Sequence, residues 1–224
     1  MDLFIKLSIF LYENIINIIY PPNCVICEKQ SKDKYLCNDC EGGLELEAYY
    51  KIENKLNKYF EKHAYIFKYE NKIRKLIIDC KFNDKAYLRE VFVKFLLKNE
   101  KICRFFETYD IITAVPIHKK RKRTRGYNQS ELIASKIAKE YKGLKYENIL
   151  EKQKNNVMQS SLTKKERIEN AKNVYKAINK EKINNKKIIL IDDIYTTGST
   201  VNECSKVLKE NGAKEIVVIT IAKD

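Results

Sequence analysis

Ile188-Ile189-Leu190-Ile191-Asp192-Asp193-Ile194-Tyr195-Thr196-Thr197-Gly198-Ser199-Thr200 is built of three parts in a fixed order. Four apolar residues read as a strand buried on both faces. Two adjacent carboxylates then stand at its carboxyl end. A turn of hydroxyls and glycine follows, leading into a helix patterned by Val201, Cys204, Val207 and Leu208. Ligands of open parallel sheets bind at that edge. Backbone N–H groups at the helix start, with the hydroxyls of Thr197, Ser199 and Thr200, can enclose a phosphate, helped by the positive end of the helix dipole. Asp192 and Asp193 repel phosphate. They suit neutral hydroxyls, or a magnesium ion held in front of them, which describes a ribose diol beside its own 5′-phosphate. Acidic helix caps alone also place Asp and Thr at a strand-to-helix turn, but they do not call for all of these positions in this order.

The neighbouring segments repeat the strand and helix alternation. His63 to Tyr69 alternates as a strand, and Ile73, Leu76, Ile77 and Cys80 mark a helix that Lys81-Phe82 closes. A second helix carries Tyr87, Leu88, Val91, Phe92, Phe95 and Leu96, and Ile111 to Val115 is the next strand. A charged loop, a helix from about Ser130 to Tyr141, a short strand near Tyr146 to Leu150 and a polar stretch to Lys187 follow. The last strand is Ile216 to Ile221, after Gly212 at a helix end. This order predicts an α/β fold with an open parallel sheet and right-handed crossovers. Cys103 and Cys204, with Cys80, read as core residues. His63 and His118 are isolated and read as packed or solvated imidazoles.

Near the N-terminus, Leu3, Leu7, Leu11, Ile15 and Ile19 recur every four positions between polar residues. Residues 1–20 are therefore expected to be an amphipathic helix, neither a membrane span nor a signal peptide. Pro21-Pro22 ends that pattern, and Cys24, Cys27, Cys37 and Cys40 follow as two C-x2-C pairs, expected as a knuckle over residues 21–43. Each pair turns tightly enough to offer two sulfurs to one zinc ion, and four protein ligands make a closed, structural site. A disulfide framework is the alternative; the cytoplasm, which is the expected compartment, disfavours it. The third segment, 44–224, is the expected sheet domain.

The chain of 224 residues carries a formal net charge of +14, which makes polyanions the natural partners. Lys, Asn, Ile and Tyr are abundant throughout, so part of this charge is a general composition bias. Local need is clearer in Arg. Only seven of the 44 basic residues are Arg, and Arg121, Arg123 and Arg125 fall together. With Lys119, Lys120 and Lys122 they put six cations into the run from 119 to 125, in a loop that starts at a strand end. Arg forks hold phosphate oxygens in pairs, so the loop suits a pyrophosphate. A solvated basic loop or a nonspecific nucleic-acid patch gives the same composition.

Taken together, Val115-Pro116, Arg125-Gly126-Tyr127-Asn128-Gln129, the spaced trio Gln159, Arg167 and Asn170, and Asp192 to Thr200 resemble the ComF family. The latter stretch is similar to the PRPP-binding signature of type I phosphoribosyltransferases. The N-terminal pattern, the four cysteines and the Tyr69 to Phe82 segment extend the resemblance over nearly the whole chain. It implies a type I phosphoribosyltransferase sheet joined to a zinc knuckle, in a bacterial protein of DNA uptake during natural transformation. Such a protein would handle incoming single-stranded DNA in the cytoplasm, with a helicase-like partner and a recombination mediator. Carried over, Asp192 and Asp193 would hold the ribose hydroxyls, and Thr196, Thr197, Gly198, Ser199 and Thr200 the 5′-phosphate, with Mg2+ accompanying PRPP. Arg125, Gly126, Asn128 and Gln129 would lie toward the pyrophosphate. Gln159, Arg167 and Asn170 would sit on a loop that closes over the reacting centre, unless they are surface helix residues. Purine-salvage enzymes keep a base-activating carboxylate where this chain has Thr196, so the resemblance supports PRPP binding more directly than transfer. An active transferase with an unidentified acceptor is the other reading. Tyrosines such as Tyr127 are candidates for stacking on bases.

Overall fold

The computed structural model describes residues 23–31, 35–56, 58–83, 85–154 and 173–224. The expected N-terminal helix and the trio Gln159, Arg167 and Asn170 lie outside them. The chain divides into two compact units, Met1–Ala48 and Tyr49–Asp224. No helix among the described residues is long and apolar enough to cross a membrane.

In the first unit, residues 24–28 form a tight turn. Glu28 N donates to the Cys24 carbonyl and Cys24 N to the Lys29 carbonyl, with Glu28 at a φ of 63°. An antiparallel bridge joins Asn23 to Gln30. Helix α1 (Asn38–Glu47) begins immediately after Cys37, so the second cysteine pair straddles a helix start.

The second unit is a six-stranded sheet in the order β1-β2-β8-β7-β3-β4. Its strands are β1 (Lys51–Asn54), β2 (Lys62–Lys68), β3 (Ile111–Ala114), β4 (Lys145–Tyr146), β7 (Lys187–Tyr195) and β8 (Glu215–Lys223). Only β1 runs antiparallel to its neighbour. Central strands β7 and β8 are apolar on both faces, as a doubly covered sheet requires. Ile188, Leu190, Ile216 and Val218 share one core cluster with Val201, Cys204 and Leu208 of helix α7 (Ser199–Glu210). Helix α6 (Gln129–Glu140) packs against β3 and β7, and also against α3 (Arg89–Leu97). Helix α4 (Glu100–Thr108) then leads into β3.

Two further features differ from the sequence expectation. The run from Lys119 to Arg125 is a helix, α5, and not a loop; the Gly126 residue that stops it has a φ of 80°. The single strand expected near Tyr146 to Leu150 is instead two elements. Strand β4 ends at Tyr146, and β5 (Leu150–Lys152) pairs antiparallel with β6 (Tyr175–Ala177) in a separate two-stranded ribbon. A three-residue strand in a Lys- and Asn-rich stretch is too short to show periodicity.

Helix α2 (Asn71–Phe82) starts just beyond the carboxyl end of β2. Near its other end Lys81 reaches Asp193 at the carboxyl end of β7, and β8 lies between those strands. Helix α2 therefore crosses the carboxyl edge of the sheet and forms a wall there.

Candidate functional site

Strands β3 and β7 are adjacent, but the chain leaves them toward opposite flanks of the sheet. From β3 it passes through α5 and α6 to β4, and from β7 it passes through α7 to β8. A crevice opens outside the carboxyl ends of two such strands, because their crossovers diverge. Asp192 to Thr200 lines that crevice.

Successive residues of a strand face opposite sides, and the two acids accordingly separate. Asp193 is 5% exposed. Lys81 Nζ donates to it at 2.9 Å, and Gln129 Nε2 donates to its other oxygen. Asp192 is half-buried. Its Oδ1 accepts from Ser130 Oγ at 3.3 Å and from the Asp193 backbone N–H at 3.0 Å. Burial, reinforced by the charge of Asp193, pushes the Asp192 carboxyl up to about 7, against the opposing pull of Lys81. The pair expected to act together thus has one member held by Lys81 and Gln129 and one, half-buried, with no ion pair among the described residues.

The turn that follows holds its own hydroxyls close. Thr197 Oγ1 and Ser199 Oγ are 2.5 Å apart, and Ser199 N donates to Thr197 Oγ1 at 3.3 Å. Gly198 has a φ of 73°, and a Cβ there would lie 2.2 Å from Tyr195 Oη, so glycine is required on two counts. The backbone N–H groups of Thr196, Thr197 and Gly198 donate to no backbone carbonyl of the described turns and loops. Thr200 is in contact with the phenol of Tyr175 on β6. Lys152 on β5 lies over the Tyr175 ring, 5.5 Å from its centre. Burial and the nearby Arg121 cation bring the Lys152 ammonium down, while Cys204 and Asp192 oppose this. Lys152, Tyr175 and Lys81 are therefore parts of the site that the sequence did not reveal. Contacts across more than a hundred residues, as between Lys81 and Asp193, leave no local pattern.

The residues of Arg125-Gly126-Tyr127-Asn128-Gln129 prove to be organisers of this corner. Asn128 caps α6, accepting from Ser130 N and donating to the Val115 carbonyl at 3.0 Å, which fixes the helix start to the end of β3. Gln129 links Arg125 to Asp193, accepting from Arg125 Nη1 at 2.6 Å. Tyr127 is half-buried and donates to the Cys80 carbonyl at 2.6 Å, so it is not the exposed stacking surface expected of it. On α5, Lys119 pairs with Glu151 at 2.7 Å and Lys122 with Glu131 at 2.6 Å. Lys120 and Arg123 are exposed, and Arg121 is half-buried. His118 caps α5 by accepting from Lys120 N, and His63 is fully buried beside Thr220, so neither stands in the crevice as an acid or base.

The four sulfurs of Cys24, Cys27, Cys37 and Cys40 lie within 4.8 Å of one another. Tetrahedral zinc with Zn–S bonds of about 2.3 Å needs sulfurs roughly 3.8 Å apart; Cys27 and Cys37 are at 3.6 Å. Burial pushes the Cys24 thiol up, but the backbone amides of Cys27, Cys37 and Ile26, aimed at its sulfur, outweigh this and bring it to about 6. Those amides favour the thiolate that a metal requires. The cluster fits a closed structural zinc site.

Comparison with known proteins finds a family match in each part of the chain. The phosphoribosyl transferase domain family matches residues 128–224, and the double zinc ribbon domain family matches residues 15–50. The chain is 30% identical over 207 residues to Competence protein F of Haemophilus influenzae, covering 89% of this chain and 90% of that one. It is 30% identical over 202 residues to Competence protein ComFC of Streptococcus pneumoniae, covering 90% and 80%. With the DNA utilization protein YhgH of Escherichia coli K12 the identity is 24% over 201 residues, 87% of each chain.

Proposed function

The chain belongs to the ComF family of competence proteins, with a phosphoribosyltransferase domain and a double zinc ribbon, and from that premise we propose that it binds PRPP in the crevice above β3 and β7 and serves DNA utilisation. The observation that carries this reading is the crevice wall itself: an Asp192 with no ion pair among the described residues, a turn of hydroxyls with its amides, and the start of α7. The 5′-phosphate would rest on residues 196–200, where amides and the helix dipole attract it. Asp192 would accept from a ribose hydroxyl.

Magnesium fits the same corner. The raised Asp192 carboxyl marks a negative charge that the protein leaves uncompensated, and hard cations take carboxylate oxygens, often through water. With PRPP bound, the ion would supply charge neutralisation for the pyrophosphate. Asp193, fixed by Lys81 and Gln129, would orient its neighbour and not contact ligand directly. Lys152 and Arg121, near each other and near Asp192, would face the anionic end.

The relatives' names join competence and DNA utilisation, which supports DNA as the material handled, and single-stranded DNA is the form this reading assigns. Exposed Lys120 and Arg123 on α5 supply cations for a phosphate backbone. Helicase-like and recombination-mediator partners, and a cytoplasmic setting, belong to the same reading.

Calorimetric titration with Mg–PRPP tests the central claim. Wild type is expected to bind saturably and Asp192→Asn to lose binding with its fold retained; equal affinity in the two proteins would overturn the site. Transfer to an acceptor is a second reading, favoured by the β5–β6 ribbon that sets Tyr175 and Lys152 beside the phosphate turn. Pyrophosphate release from PRPP across a panel of nucleobases and amines would establish it, and silence across the panel would leave binding without turnover.

A further inference from the structure

Phe82, the last residue of α2, is 57% exposed although it stands at the rim of the crevice. Aromatic side chains this open are normally withdrawn into a core or an interface. Its surroundings hold it in place. Arg125 sets its guanidinium over the ring at 4.8 Å from the centre. The same guanidinium donates to Gln129, Gln129 donates to Asp193, and Asp193 accepts from Lys81, the residue before Phe82. These contacts close a ring that starts and ends at the tip of α2. Tyr127, two residues after Arg125, adds a hydrogen bond to the carbonyl of Cys80. The aromatic side chain thus has a cation over its ring and still keeps more than half of its surface open.

An open ring under the guanidinium of Arg125, the last residue of the helix that also carries exposed Lys120 and Arg123, offers stacking to a flat heterocycle and cations to a phosphate. We propose that the open face of Phe82, backed by Arg125, is a nucleobase-binding platform at the edge of the crevice. This deepens the PRPP reading and rests on it for its setting. The base can come from single-stranded nucleic acid, with its phosphates toward Lys120 and Arg123, or from a free base presented to PRPP. The ligand chemistry is the same in both.

The chain has no tryptophan, so Phe82→Trp places a lone indole reporter on the platform. Its fluorescence is to be titrated with oligothymidylate, oligoadenylate and free adenine or hypoxanthine, each with and without Mg–PRPP. Saturable quenching is expected from at least one class. Quenching by oligonucleotides without PRPP identifies the polymer as the source, and quenching by free bases only with PRPP identifies an acceptor. Phe82→Ala is expected to weaken binding of the responding ligand about tenfold or more, in line with losses seen when stacked aromatics are truncated. Phe82→Tyr is expected to retain it, and Phe82→Leu to behave as Ala. Unchanged indole fluorescence with every ligand, or wild-type affinity in Phe82→Ala, would overturn the proposal. Calorimetry with Mg–PRPP on Phe82→Ala separates the two readings. Unchanged PRPP affinity with lost base binding supports the platform, whereas a wild type that ignores PRPP while the indole still responds to bases removes the crevice reading and keeps the platform.

Discussion

The carboxylate of Asp192 sits half-buried beside a second acid, and its raised value of about 7 has a direct consequence for stability. The unfolded chain gives up this proton near pH 4, whereas the folded chain keeps it until about 7. Stability therefore falls as pH rises through that window, because the folded state binds the extra proton. Asp192→Asn removes the penalty, and its melting temperature is expected to exceed that of wild type at about pH 8 while nearly matching it at about pH 4, as scanning calorimetry would show. Gly198 is the second residue that tolerates no change. Its left-handed backbone and the Tyr195 hydroxyl within 2.2 Å of any Cβ make Gly198→Ala costly, by about 1–3 kcal/mol in urea unfolding. The acids and the glycine were legible from sequence, since a strand, two carboxylates and a hydroxyl turn are contiguous. Which acid the protein itself engages was not, because Lys81 and Gln129 both reach Asp193 from distant parts of the chain.

Among the elements, the edge strand β1 is fastened by side chains and not by pairing alone. Glu53 accepts from Lys223 Nζ at 2.8 Å, Lys55 Nζ at 2.5 Å and Tyr65 Oη at 2.7 Å, drawing together β1, β2 and β8. Burial raises this carboxyl, but the three donors outweigh it and hold it at about 2. A depressed acid stabilises the fold above its unfolded value of about 4.3 and ceases to do so as pH falls toward 2. Glu53→Gln is expected to cost about 1 kcal/mol at neutral pH and to flatten the acid limb of the stability profile between about pH 4 and 2, as chemical denaturation across pH would show. The long strands and helices α2, α3, α6 and α7 were legible because their apolar periods are strong, whereas α4 was not read as a helix of its own. Strand β1, the β5–β6 ribbon and helix α5 were not. The first two are short and polar, and α5 is a run of cations whose helical form is stopped only by Gly126.

For the molecule as a whole, the two compact units have different sources of stability. The sheet unit rests on the apolar faces of β7 and β8, with α7 in the same core cluster and α6 packed on β3 and β7. The cysteine unit has few buried apolar residues among those described, so metal binding carries most of its folding free energy, about 10 kcal/mol or more for structural zinc. A strong chelator is therefore expected to abolish amide protection around Cys24 to Cys40 while leaving that of β7 and β8 intact, as hydrogen exchange read by mass spectrometry would show. Parallel strand order was legible only in class, since alternation of elements foretells parallel pairing but not that β7 would lie between β3 and β8. The helix laid across the sheet's carboxyl rim has a mechanical consequence. Because Lys81 fastens the tip of α2 to the buried Asp193 carboxylate, that wall is anchored from beneath by a charge the ligand does not need, and Lys81→Met is expected to loosen the wall itself.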